Sequence, residues 1–287
     1  YFNINFNLSF EIKMKYKKLL NTSVKIRKFK FKASILIANY NNQIYLKECI
    51  RSLKRQTYKN LEIIFHDDCS SDNSLRNVKK FRNVKVIENK KRTKFGCYNQ
   101  IKAYRKAFKK STGDIIFLLD SDDFFSKKKV ENIIKIFSDD DKISSIFDLQ
   151  IVKSDKKLSY KKNKNKIIEN YWPYIPPTSC ISIRRKNFMK IIKEIEFKLF
   201  PDIWMDFRIA IYSKYISKNF FILNENLTYY RQTPQMISAK FKFLSMSWWK
   251  RRMQAHEYVK YFFLKNKIKH KKNLDYFLTY FMSIFIK

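Results

Sequence analysis

Apolar residues fall into short blocks along this chain, and the spacing within each block predicts an element. Ala33–Ala38 (ASILIA) is an unbroken apolar run of strand length, so a buried strand is expected there. Leu46, Cys49, Ile50 and Leu53 recur at i, i+3, i+4 and i+7, the stripe of a helix. Leu61–Phe65 (LEIIF), Val84–Ile87 and Ile115–Leu119 (IIFLL) predict three more buried strands. Between the last two, Cys97, Ile101, Tyr104 and Phe108 mark a helix that Gly113 closes, and Val130, Ile133, Ile134 and Phe137 mark another after the fourth strand. Strand and helix alternate, which predicts an α/β fold with a doubly wound, mostly parallel sheet.

In such sheets ligands bind beyond the carboxyl ends of the strands. Those ends carry Asn39 and Asn41, then Asp67 and Asp68, then the basic stretch Lys90–Lys94, then Asp120, Asp122 and Asp123. Amide, acidic and basic groups are therefore expected along one edge. His66, His256 and His270 show no metal spacing, and His66 is expected to pack beside its strand.

Beyond Lys142 the pattern loosens. Ser144–Val152 is expected as a strand, Lys153–Asn170 as a polar loop, Tyr171–Pro177 as an aromatic, proline-rich loop and Ser179–Ile183 as a strand. A helix is expected from about Asp202, with Trp204, Phe207, Ile211 and Tyr215 on its apolar face. Phe220–Leu223 and Leu227–Tyr230 read as two short strands, and Phe241–Lys287 as basic, aromatic helices. The expected organisation is a basic leader (1–32), a main domain (33–238) and a helical tail (239–287). The main domain divides into a first half (33–125) and a second half (126–238). Residues 1–13 precede Met14 and are expected to lie upstream of the natural start.

Composition narrows the function. Only 2 of the 287 residues are glycine, Gly96 and Gly113, which excludes a glycine-rich nucleotide loop. Four cysteines with no C-x-x-C pair argue against a zinc ribbon or a disulfide framework, and point to reduced thiols in the cytoplasm. The 62 Lys+Arg against 25 Asp+Glu leave a formal charge of +37. Part of this reflects a biased composition rich in Lys, Asn, Ile, Phe and Tyr. A basic surface still attracts nucleic acid, anionic lipid or phosphorylated ligands. No apolar run reaches membrane-spanning length.

Asp120-Ser121-Asp122 places two carboxylates two residues apart at a strand end, so both project to one side. With phosphate oxygens they suit Mn²⁺ or Mg²⁺. At this point the sequence resembles glycosyltransferase family 2, of the GT-A (Rossmann-like) nucleotide-diphospho-sugar transferase fold. The resemblance lies in ASILIANYN at Ala33–Asn41, LKECIRSLKRQTYKNLEIIFHDDCSSD at Leu46–Asp72 and TGDIIFLLDSDD at Thr112–Asp123. PDIWMDFRIA at Pro201–Ala210 and YYRQ at Tyr229–Gln232 match more loosely. Departures are Cys69 where glycine is usual, Pro201 where glutamate is usual, and Tyr104-Arg105 in place of an Arg-Asn pair.

The resemblance implies that Asp68, with Asp67, binds the nucleotide base, that Asp120 contacts the ribose and that Asn39 belongs to the same nucleotide site. It implies that Asp122, with Asp123 nearby, ligates the metal and that Arg92 or a neighbouring Lys meets the diphosphate. Asp202 would be the catalytic base and Asp206 its competitor four residues on. The implied reaction moves a sugar, with inversion, from a nucleotide-diphospho-sugar (UDP-sugar favoured) to a hydroxyl of a glycan or lipid-linked acceptor, in surface polysaccharide or lipooligosaccharide synthesis. The acceptor loop is expected at Lys153–Pro177. The competing classes are a basic nucleic-acid-binding protein, which four carboxylates at strand tips argue against, and an inactive glycosyltransferase-like scaffold. In the tail, Trp248-Trp249-Lys250-Arg251-Arg252 and the apolar Leu274–Ile286 allow two readings. One is a helix on the anionic, cytoplasmic face of a membrane; the other is a tail packed on the domain.

Overall fold

Four strands form the parallel half of one sheet. They are β1 (Ala33–Asn39), β2 (Leu61–Asp67), β3 (Val84–Glu88) and β4 (Ile115–Asp120), in spatial order β3-β2-β1-β4. The computed structural model describes residues 31–154, 157–160, 176–194, 199–233, 236–270 and 272–285. Every residue of β1 is buried, as expected of a central parallel strand with helices on both faces. Helices α1 (Gln43–Lys54), α2 (Ser74–Val78), α3 (Gly96–Lys109) and α4 (Lys129–Asp139) connect and flank these strands. The buried residues of α1 are Leu46, Cys49, Ile50 and Leu53, the stripe read from their spacing. The stripes of α3 and α4 are buried likewise.

The other half of the sheet is mixed. After β4 the order is β8 (Ile181–Arg184), β6 (Ser145–Ser154), β9 (Phe220–Arg231) and β5 (Phe124–Phe125), with β7 (Lys157–Tyr160) paired to β6. β8 is antiparallel to both β4 and β6, whereas β9 is parallel to β6. The two strands expected in the β9 region are one. Asn224, Glu225 and Asn226 look like a polar break, but register shifts near Leu149 of β6 accommodate them. There Asn226 Nδ2 donates to the Gln150 carbonyl at 2.9 Å. The polar loop expected from Lys153 begins instead as a β6–β7 hairpin; residues 161–175, with most of the expected acceptor loop, lie outside the described residues, as do residues 1–13.

Helices α5 (Arg185–Glu194) and α6 (Met205–Tyr212) follow β8. α6 starts three residues later than Asp202, because residues 199–202 form an irregular approach fastened by a buried arginine. Arg208 Nη2 donates to the Phe200 carbonyl at 2.6 Å and Nε to the Ile203 carbonyl at 3.2 Å. The tail folds as α7 (Met246–Lys265) and α8 (Leu274–Ile284). Tyr258, Val259, Phe262 and Phe263 of α7 share one core cluster with Tyr104 of α3 and Phe207 and Ile211 of α6. For α7, therefore, the packed alternative is the observed one.

A buried ion pair ties α4 to the mixed half of the sheet. Lys129 at the start of α4 and Asp148 of β6 are both fully buried, 2.7 Å apart. Lys129 Nζ also donates to the Ser179 carbonyl at 2.8 Å and to Thr228 Oγ1 of β9 at 2.5 Å.

Candidate active site

The carboxyl ends of β1, β2 and β4 open onto a cavity of about 460 Å³ that also receives residues from α3, α6, α7 and the segment before α7. Six sequence-predicted residues line it: Asn39, Asp68, Arg92, Asp120, Asp122 and Asp206.

At the β2 end, loop geometry depends on Asp67. Its Oδ2 accepts from the Ser70 backbone N–H at 2.9 Å, and Oδ1 accepts from Ser70 Oγ at 2.7 Å and Asn39 Nδ2 at 2.8 Å. Asp67 is thus turned into the loop rather than the cavity. The next-but-one residue, Cys69, takes φ = 61°, the left-handed region that favours glycine. Asp68 is the carboxylate that reaches the cavity, accepting from Asn89 Nδ2 and Arg92 Nε, both at 2.8 Å. Burial raises its pKa above the usual carboxylate value despite those two donors. The Arg92 guanidinium also stacks 3.1 Å over the Tyr40 ring. Arg92 is therefore held at the Asp68 end of the cavity rather than presented as a free cation beside Asp120 and Asp122.

At the β4 end the three aspartates have different surroundings. Both oxygens of Asp120 accept from Gln100 Nε2, at 2.8 and 2.9 Å, and Oδ1 accepts from Tyr104 OH at 2.8 Å. Gln100 and Tyr104 sit one turn apart on α3; the apolar spacing places Tyr104 in the stripe of that helix and gives no sign that its hydroxyl reaches Asp120. Asp123 is saturated by protein: Oδ2 accepts from Ser179 Oγ at 2.6 Å and Oδ1 from the Arg231 backbone N–H at 2.8 Å. It is fully buried and is not among the residues lining the cavity, so the geometry does not support the metal role expected of it beside Asp122. Asp122 lines the cavity, its carboxylate meeting its own backbone N–H; its backbone carbonyl accepts from Arg231 Nε at 2.9 Å. Burial, then the charge of Asp120, pushes its pKa up. A cavity-facing carboxylate held by no other side chain among the described residues, desolvated beside a second carboxylate, fits a hard divalent cation.

On the far wall, the first turn of α6 presents Asp206. Its Oδ1 accepts from the adjacent Phe207 backbone N–H at 2.7 Å, and the side chain otherwise looks into the cavity. Burial, with a smaller contribution from the Asp120 charge, raises its pKa to about 7. Asp202 is not among the lining residues. Its Oδ2 accepts from Gln254 Nε2 of α7 at 2.9 Å, and its backbone carbonyl accepts from Arg251 Nε at 3.1 Å. The expected order of the two is reversed in position, because the late start of α6 leaves Asp202 against α7. Arg251 was not foreseen as a site residue. Its guanidinium lies over the Trp204 ring at 3.9 Å and the Phe241 ring at 4.2 Å, and it lines the cavity together with Lys240.

Residues 34–209 match the pattern described as glycosyl transferase family 2. This chain belongs to that family. Its relatives include an uncharacterised glycosyltransferase of Nostoc sp., 29% identical over 219 residues, 70% of this chain and 64% of that protein. They also include the Escherichia coli UDP-Glc:α-D-GlcNAc-diphosphoundecaprenol β-1,3-glucosyltransferase WfaP, 36% identical over 101 residues, 35% of this chain and 39% of that one. The chain thus spans less than two-thirds of either relative. Among solved structures, Staphylococcus aureus TarS residues 1–349 in complex with UDP-GlcNAc superpose with a TM-score of 0.59 at 18% identity, covering 79% of this chain and 66% of that one. The shared fold is GT-A, with the family's sheet and an added helical C-terminal part.

Proposed function

We propose that this member of the family is a metal-dependent, inverting glycosyltransferase that moves a sugar from a nucleotide-diphospho-sugar to an acceptor hydroxyl in cell-surface glycan synthesis. The observation that carries the reading is the meeting of Asp68, Asp120, Asp122 and Asp206 in one cavity at the strand ends. Asp68 and Asn39 take the base end of the nucleotide, Asp120 the ribose, and Asp122 the divalent cation, Mn²⁺ or Mg²⁺. When bound, that cation supplies Lewis-acid stabilisation of the departing diphosphate. Arg251 and Lys240 add positive charge on the same wall. UDP-sugar is the favoured donor, consistent with the UDP-GlcNAc held by the TarS structure.

Asp206 is the base. An attacking hydroxyl must lose its proton as it bonds to the anomeric carbon, and a carboxylate with a pKa of about 7 is suited to accept it near neutral pH. Asp202 is a positioning residue that locks the approach to α6 onto α7. Direct displacement of the diphosphate by the acceptor hydroxyl, the course the family resemblance implies, inverts the anomeric carbon. The acceptor is a glycan or a lipid-linked sugar; the WfaP name describes a diphosphoundecaprenol-linked sugar as the acceptor of that relative.

The test is a screen of UDP-, GDP- and dTDP-sugars for metal-dependent release of nucleoside diphosphate, with anomeric configuration read by NMR. Release that persists with excess EDTA would overturn the metal assignment, and retention of configuration would overturn the single displacement. The inactive-scaffold reading predicts no release from any donor; Asp122 and Asp206, both present and facing the cavity, argue against it.

A further inference from the structure

The C-terminal helix α8 is the most anomalous surface of the molecule. Tyr276 and Thr279 are buried against α7, but Leu274, Phe277, Leu278, Phe281, Ile284 and Phe285 are each more than half exposed. Large apolar side chains clustered this densely mark a docking face rather than ordinary surface scatter. The face is firmly built. Asp275, in the first turn of α8, is paired with Arg252 Nη2 and bonded to His256 Nε2 at 2.8 Å, both from α7.

A second exposed apolar cluster, Phe243, Leu244 and Met246, immediately precedes and starts α7. Contacts link the two: Phe243 packs on Trp248 with ring centres 5.2 Å apart, Arg252 lies 4.9 Å over Trp248, and Arg252 holds Asp275. The residue beside Arg252 is Arg251, which lines the catalytic cavity. The apolar face is thus anchored one residue away from the cavity wall.

The surroundings identify the occupant. Residues 239–287 contain 12 Lys+Arg and only two acidic residues, Glu257 and Asp275. Lys242, Lys250, Lys267, Lys269 and Lys272 are exposed around the apolar clusters. No helix among the described residues is long and apolar enough to cross a membrane. A second copy would bring another +37 chain against the same basic rim, which opposes pairing. Aromatic and aliphatic side chains ringed by lysines suit one partner, an anionic lipid surface, where the apolar groups enter the acyl boundary and the lysines meet the headgroups.

We propose that the outer face of α8, with the Phe243–Met246 cluster, docks the protein on an anionic bilayer and brings the cavity mouth to a membrane-borne acceptor. The second half of this proposal rests on the glycosyltransferase reading; the docking itself does not.

The experiment is co-sedimentation of the full chain with vesicles of phosphatidylcholine, with and without phosphatidylglycerol, alongside nucleoside diphosphate release with a water-soluble acceptor. Wild type should sediment with phosphatidylglycerol vesicles and be released by salt. Phe277→Asp/Phe281→Asp should abolish binding, and Lys267→Gln/Lys269→Gln/Lys272→Gln should weaken it by at least about tenfold, given roughly 1 kcal/mol for each lysine near the surface. Both variants should keep the wild-type melting temperature and soluble-acceptor turnover; if the Asp pair unfolds the protein, the lysine variant alone carries the test. Wild-type turnover without vesicle binding would overturn docking and leave the catalytic reading standing. Vesicle binding without turnover on any nucleotide sugar would do the reverse. A dimer in analytical ultracentrifugation that the Asp pair makes monomeric, with no vesicle binding, would assign the face to a second copy and overturn the proposal.

Discussion

At the scale of single residues, small differences of placement separate similar side chains. Asp122 and Asp123 are neighbours, yet one faces the cavity and the other is fully satisfied by Ser179 and the Arg231 backbone. Asp202 and Asp206 diverge in the same way. Asp206→Asn should lower turnover by roughly 10²–10⁴-fold, the usual cost of losing a general base. Asp202→Ala should lower it less and destabilise the fold, because its side-chain contact with Gln254 is lost; kcat and melting temperature measured on both variants decide the assignment. Asp206 must be deprotonated to accept a proton, so kcat should rise as pH passes upward through about 7. That limb should vanish from the pH profile of Asp206→Asn. Cys69 offers a separate check. Its φ of 61° costs a side-chain-bearing residue about 1 kcal/mol. Urea midpoints should therefore place Cys69→Gly at or above wild type, and Cys69→Val, with its branched Cβ, well below it.

At the scale of elements, the helices that read clearly are those whose apolar stripes meet a sheet. α1, α3 and α4 were legible because each buries one face and leaves the rest in water. α6 starts later than its apolar spacing suggests, because Arg208 holds the preceding carbonyls and delays the helix. Tyr258, Val259, Phe262 and Phe263 put α7 in the common core. Removing residues after Lys240 deletes all four, and each such loss typically costs 2–5 kcal/mol, so the remainder should not fold. Loss of the cooperative thermal transition on truncation is the expected result. Within the sheet, Lys129→Met leaves Asp148 buried without its ion-pair partner and should cost roughly 3–5 kcal/mol. Adding Asp148→Leu should recover much of that loss, which chemical denaturation of both variants would measure.

At the scale of the molecule, the cavity concentrates charge that the fold itself disfavours. Burial raises the pKa of Asp120, Asp122, Asp123 and Asp206. These four groups thus bind more protons in the folded metal-free chain than in the unfolded one from about pH 4, the ordinary carboxylate range, upward. Their contribution to stability should then fall as pH rises through that window towards 7, whereas His66 and His256, lowered to about 4 by burial, act in the opposite sense. A divalent cation on Asp122 replaces the lost protons. Mn²⁺ should therefore raise the melting temperature more at pH 7.5 than at pH 5, and Asp122→Asn should remove most of that difference. An equal Mn²⁺ shift at both pH values would count against a cation at this carboxylate.

The sequence by itself determined the parallel half of the sheet, its helices and the family, because those depend on local periodicity and on short motifs whose residues are adjacent in the chain. It also placed Asp68, Asp120 and Asp122 at the cavity, since residues at the ends of parallel strands converge whatever the rest of the chain does. Tertiary structure alone decided which of two nearby aspartates faces inward, because one turn of helix start or one hydrogen bond from Ser179 reverses the outcome. It alone brought Arg251 to a cavity built mostly from residues far earlier in the chain. It also separated the two tail helices: α7 finds a core to enter, whereas α8 meets α7 on one side only and leaves its remaining apolar surface facing outward.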